Sequence, residues 1–100
     1  MKKILEISVD SVIENLNNEE KKYIIDKLLS YPQAYASSLY ITDIFTGEKI
    51  YCPIKGYILG DYFWDTEYIY YFEKYNFKLD SNFKKIILSL WPYHVIKLIN

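Results

Sequence analysis

Residues 61–78 read DYFWDTEYIYYFEKYNFK, and whether this stretch coils or extends decides the fold. Trp64, Tyr68, Tyr71, Phe72 and Tyr75 recur at helical spacing. Asp65 stands where an N-cap carboxylate would accept the first free backbone N–H groups. Against this, Tyr68-Ile69-Tyr70-Tyr71-Phe72 is dense in residues that favour strands. Glu67, Glu73 and Lys74 fall on the side away from the rings, and this makes helix the preferred reading.

Working outward toward the C-terminus, Asp80 or Ser81 can cap a last helix. Phe83, Ile86, Ile87, Leu90 and Trp91 match the i, i+3, i+4, i+7, i+8 pattern of a buried face. Leu88 makes that helix apolar on a second side, which suits a central position. Pro92 kinks or ends it, and residues 93–99 add an apolar turn or two.

Toward the N-terminus, residues 38–59 look extended. Leu39 to Phe45 is β-branched and aromatic, Thr46-Gly47-Glu48-Lys49 supplies a turn, and Ile50-Tyr51-Cys52 returns until Pro53 ends or edges the strand. Tyr57-Ile58-Leu59, between Gly56 and Gly60, reads as a third short strand. Residues 4–31 read as a helical hairpin. Leu5, Val9, Val12, Ile13 and Leu16 form an apolar stripe, although Ser11 with Glu14 has capping-box form and leaves room for Leu5, Ile7 and Val9 as a short strand. Asn17 and Asn18 break the first helix. Asn17 with Glu20 opens a second, buried through Ile24, Ile25, Leu28 and Leu29 and ended by Pro32. The expected architecture is α+β and helix-rich, with about four helices packed on a small antiparallel β-hairpin or meander.

The 100 residues fit a single domain, 1–100. An apolar fraction of 51% supports a packed core. With only Cys52, no internal disulfide can form. Glu6 and Asp10 interrupt the apolar start before it becomes a secretory signal, and no stretch is long enough to span a bilayer. These readings point to a soluble, cytoplasmic protein. All 12 basic residues are lysine, a bias that A/T-rich genes produce. Without arginine, bidentate reading of guanine or phosphate is disfavoured, so nucleic acid is not the expected partner.

The residues of common active sites are missing. A single histidine, His94, in an apolar segment and a cysteine inside a strand pattern make a poor dyad. They are too few for a zinc site. Glu19-x-Lys21 and Glu20-x-Lys22 resemble an element of two-metal nucleases, but in a first helical turn acids before lysines simply suit the macrodipole. Gly47, Gly56 and Gly60 are too scattered for a phosphate loop. Lys84, Lys85 and Lys97 leave the last 20 residues basic, which the wet face of a helix explains. No enzyme activity, cofactor or metal is expected.

What remains is a patch. From Tyr57 to Phe77, ten of 21 residues are aromatic, and Asp61, Asp65, Glu67 and Glu73 are interleaved with no lysine between Asp61 and Glu73. One helix cannot turn all these rings inward. Rings give rigid contact area and carboxylates steer a basic partner, so Asp61, Tyr62, Trp64, Asp65, Glu67, Tyr71 and Glu73 are the expected partner-binding residues, with Trp64 half-structural.

In size, composition and the segment Gly60-Asp61-Tyr62-Phe63-Trp64-Asp65-Thr66-Glu67-Tyr68, the chain resembles bacterial toxin-immunity proteins of contact-dependent growth inhibition systems. That resemblance implies a cytoplasmic antitoxin that binds and neutralises one cognate toxin domain, a nuclease among the options. Two alternatives stay open: a phage-encoded inhibitor of a host defence nuclease, and a small nucleic-acid-associated regulatory protein. A homodimer is compatible with the exposed rings.

Overall fold

The computed structural model describes residues 1–89. Along the chain these form β1 (Lys2–Lys3), α1 (Asn18–Ser30), β2 (Gln33–Thr42), β3 (Lys49–Leu59), β4 (Tyr62–Asp65), α2 (Thr66–Tyr75) and α3 (Ser81–Ser89). The sheet order is β1-β4-β3-β2, parallel between β1 and β4 and antiparallel elsewhere. The fold is α+β, but the described residues hold three helices on a four-stranded mixed sheet. This corrects the expected four helices on a hairpin or meander.

The missing helix is the first. Residues 4–17 run as an irregular arm beside residues 76–80, joined by Asp80 N–H to Ile4 O (2.7 Å), Lys78 N–H to Val12 O (2.7 Å) and Glu14 N–H to Asn76 O (2.8 Å). Backbone groups spent on these long-range bonds are unavailable for i→i−4 pairing. The Ser11 hydroxyl, expected to cap a helix, accepts from Ser8 N–H (3.0 Å) and closes a local turn. Val9, Val12 and Ile13 are left exposed, while Ile4 and Leu5 enter the core. Nor does the arm form the alternative short strand at Leu5, Ile7 and Val9: β1 lies further toward the N-terminus, at Lys2–Lys3.

Elsewhere local signals hold. Asn17 accepts from Glu20 N–H (2.7 Å) and so caps α1, while its side-chain amide, in place of the backbone N–H of a full capping box, donates to the Glu20 carboxylate (3.2 Å). The helix stops at Ser30 because Tyr31, preceding Pro32, is extended at φ −75°, ψ 153°. Asp65 caps α2 through Tyr68 N–H (3.1 Å). Asn76, left-handed at φ 58°, ends it by returning its N–H to Phe72 O (3.1 Å). Asp80 caps α3 through Phe83 N–H (3.1 Å).

The ambiguous segment answers both ways: residues 62–65 are strand and residues 66–75 are helix. Gly60, at φ 59°, opens the two-residue turn that folds β4 back on β3. β3 is one continuous strand, so Tyr57 to Leu59 is its end and not a third strand. Pro53 sits within it, opposite Tyr40, where the β2–β3 register shifts and no ladder N–H is needed.

Trp64 is the centre of the core and fully buried. Its indole N–H donates to Leu28 O on α1 (3.1 Å). Its ring stacks on Tyr57 of β3 at 5.9 Å, meets Phe83 of α3 at 5.3 Å and takes the edge of Tyr31 at 5.6 Å. Ile24 and Leu28 of α1, Ile69, Tyr71 and Phe72 of α2, and Phe83 and Ile87 of α3 complete the cluster. The expected buried positions Leu29 and Ile86 are instead exposed. Leu90, Trp91, Pro92, residues 93–99, His94 and Lys97 lie outside the described residues.

Candidate functional site

The only buried charged side chain among the described residues is Asp43, within the Leu39–Phe45 stretch whose composition predicts a strand. It occupies the loop joining β2 to β3. One carboxylate oxygen accepts from the N–H groups of Phe45 (2.8 Å) and Thr46 (3.1 Å), a local Asx turn. The other accepts from the hydroxyls of Tyr70 (2.7 Å) and Tyr75 (2.5 Å) on α2. The Lys74 ammonium stands 3.5 Å away. Beside this cluster the Tyr71 hydroxyl donates to Thr42 O (3.1 Å) and accepts from Ile44 N–H (2.8 Å). Three tyrosines of one helix thus fasten the hairpin loop.

Burial disfavours the charged form of Asp43, but the two hydroxyls and two backbone N–H groups outweigh it and hold the carboxyl well below the usual range. Tyr75 is pushed up to about 12, chiefly by its hydrogen bond to Asp43. Burial raises Tyr70 first, and the Asp43 contact adds to it. A carboxylate this well satisfied is a poor base and a poor ligand, so the cluster is structural. Its sequence signal was Asp43 set four residues before Gly47, whose φ of 73° and N–H to Asp43 O (2.7 Å) complete the loop.

The seven residues expected to bind a partner do not form one face. Asp61 is exposed in the β3–β4 turn. Tyr62 is half-buried on Phe83 at 5.1 Å, with the Lys2 ammonium 6.0 Å from its ring. Trp64 and Tyr71 are fully buried and offer no surface. Asp65 is spent as the α2 cap, with Glu67 two residues on in the first turn. Glu73 is exposed at the far end of α2, where its carbonyl accepts from Lys21 Nζ (2.5 Å). Asp61 and Asp65 are separated by four strand steps, roughly 13 Å. Six residues of helix put Glu67 and Glu73 on different sides of α2.

The structure does bring together Asp65 and Glu67 with Tyr68 of α2 and Tyr35 of β2, a residue the sequence reading passed over. Burial raises the Asp65 carboxyl above its ordinary value, and burial followed by the Asp65 charge raises Glu67. Tyr68 and Tyr35 are raised by burial first and by Asp65 second. Among the described residues no ammonium lies within ion-pair distance of either carboxylate. Tyr35 reaches this corner by lying flat across Gly56, where a Cβ would come within 1.9 Å of its ring. Phe63 adds an aromatic wall, 6.3 Å from Tyr68.

Among the described residues no three His, Cys, Asp or Glu side chains are placed to hold a metal ion, and no helix is long and apolar enough to cross a membrane. Cys52 is exposed. No family model, curated protein or solved structure matches the chain.

Proposed function

We propose that this chain is a non-catalytic protein-binding inhibitor, of the toxin-immunity kind, that receives a basic group of its partner at the corner formed by Asp65, Glu67, Tyr68 and Tyr35. The observation that carries the reading is that half-buried Asp65, held by backbone N–H groups as the α2 cap, and its half-buried neighbour Glu67 have no ammonium partner among the described residues. Like charges held close in a partly dry setting repel and lose hydration. A lysine or arginine from a partner removes both penalties, and the tyrosine rings stack on it. Asp61 and Glu73, exposed to either side, supply longer-range attraction.

The test is affinity capture from the source cell on immobilised protein, followed by titration of the purified basic partner. Glu67→Lys should weaken binding tenfold or more. Glu19→Lys, which places the same charge in the first turn of α1, controls for the helix-dipole cost and should leave affinity unchanged. Co-expression should suppress the partner's toxicity with the parent chain and not with Glu67→Lys. Equal affinity of the parent and Glu67→Lys proteins removes the assignment.

A further inference from the structure

Among the described residues, one face of the sheet is left partly in water where β3 meets β4. Their register pairs Ile58 with Phe63 and Gly56 with Asp65, so these residues share the face opposite Tyr57 and Trp64 of the core. Tyr35 of β2 lies over Gly56, Tyr68 of α2 stands against Phe63, and exposed Lys3 of β1 is the partner of Phe63 on its other side. An antiparallel sheet with one face in water ordinarily turns polar side chains to it. Here Ile58 is 43% and Tyr35 45% exposed, with Phe63 half-buried beside Ile58. An apolar patch with a polar rim marks a contact site. This rim is asymmetric: Asp65 and Glu67, which have no ammonium partner among the described residues, stand at one end, and Lys3 stands beside Phe63 at the other.

We infer that this face receives an extended segment of the partner that carries a lysine or arginine and, two residues away, a large apolar side chain. The basic group meets Asp65 and Glu67, and the apolar one lies on Ile58 and Phe63. The spacing follows from β4. Asp65 stands two residues beyond Phe63, roughly 6.7 Å along the strand, and an extended segment repeats its side chains on one side at that same interval. Charge complementarity sets the order. Carboxylates at one end attract the basic group, and Lys3 at the other repels a second one, so the segment reads basic–any–apolar with a single cation. An exposed ion pair alone contributes little to affinity, which makes the apolar area beside it the larger share of the contact. This inference rests on the Asp65–Glu67 reading and extends it from the charge of the partner to the pattern of its side chains.

Amide chemical shifts of the isotope-labelled chain, titrated with the end-capped tripeptides Arg-Ser-Leu and Arg-Ser-Ser up to about 20 mM, decide it. Arg-Ser-Leu should shift residues 58, 63 and 65–68 and bind about fivefold tighter than Arg-Ser-Ser, the ratio that half-burying one leucine gives. Ile58→Thr keeps a β-branched residue at an exposed strand position, so it should fold with unchanged circular dichroism. It should at least halve the advantage of Arg-Ser-Leu and leave the binding of Arg-Ser-Ser as it was. Equal affinity of the two peptides, with shifts confined to residues 65–68, overturns this inference and leaves the Asp65–Glu67 reading standing. No shift at 65–68 with either peptide removes both. A Glu-Ser-Leu peptide that binds as tightly as Arg-Ser-Leu overturns it too, since the carboxylates then select nothing. So do shifts at 58 and 63 that follow the concentration of the chain alone, which assign the face to a second copy. Overhauser contacts between residues 90–100 and Ile58 would assign it to the chain itself, with the same consequence.

Discussion

Replacing Asp43 by asparagine keeps the side chain's shape and removes its charge. In the native chain both carboxylate oxygens are filled, one by the N–H groups of Phe45 and Thr46 and the other by the Tyr70 and Tyr75 hydroxyls. Asparagine retains one acceptor oxygen. Oriented toward the two backbone donors, it turns an NH2 toward two hydroxyls, one of which must reverse to accept while the other loses its acceptor. A hydrogen bond to a charged group contributes about 1.5–3 kcal/mol and a neutral one about 0.5–1.5. Weakening three bonds and losing a fourth therefore costs about 4.5–7.5 kcal/mol. Relief from desolvating the charge, the largest influence opposing ionisation of Asp43, offsets part of this. The net loss should be about 2 kcal/mol, or roughly 8–16 °C in Tm for a domain of this size.

The pH dependence sharpens the test. The folded carboxyl titrates below its unfolded value. Its stabilisation is therefore fully present above the ordinary carboxylate range and is lost as pH falls through the folded value. Urea unfolding followed by circular dichroism should show a constant gap between the native protein and Asp43→Asn at pH 6–8. That gap should narrow below about pH 4. A loss under about 0.5 kcal/mol at neutral pH, or a gap that does not change with acid, would refute the claim that a charged, four-bonded Asp43 fastens the hairpin to α2.

The same cluster should respond to alkali in the opposite sense. Tyr75 is raised to about 12, so its contribution is complete below about pH 10 and fades as pH climbs toward 12, and Tyr75→Phe should flatten that part of the stability curve. At Gly56, a methyl group would strike the Tyr35 ring, so Gly56→Ala should cost about 1–2 kcal/mol by urea unfolding. In a Tyr35→Ala background the cost should vanish or reverse, and simple additivity of the two changes would show that the ring does not lie against Gly56.

Much of the local structure was legible because its causes are local. Asn17 with Glu20, Pro32, Asp65 and Asp80 mark the helix boundaries by satisfying or forbidding neighbouring backbone bonds, and such signals depend on little outside a few residues. The tertiary structure decided the rest. The stripe at Leu5, Val9, Val12, Ile13 and Leu16 has helical spacing, yet the arm gains more by lending its carbonyls and amides to residues 76–80, sixty and more positions away. Residues 62–65 became a strand because β3 offered a free edge and Gly60 could turn the chain back onto it. The carboxylates and rings that lie together in the sequence were divided among a turn, a strand, a cap and two sides of a helix, while Tyr35 came from another strand to join Asp65 and Glu67. Composition gathers chemistry along a chain, but only packing decides which of it shares a surface.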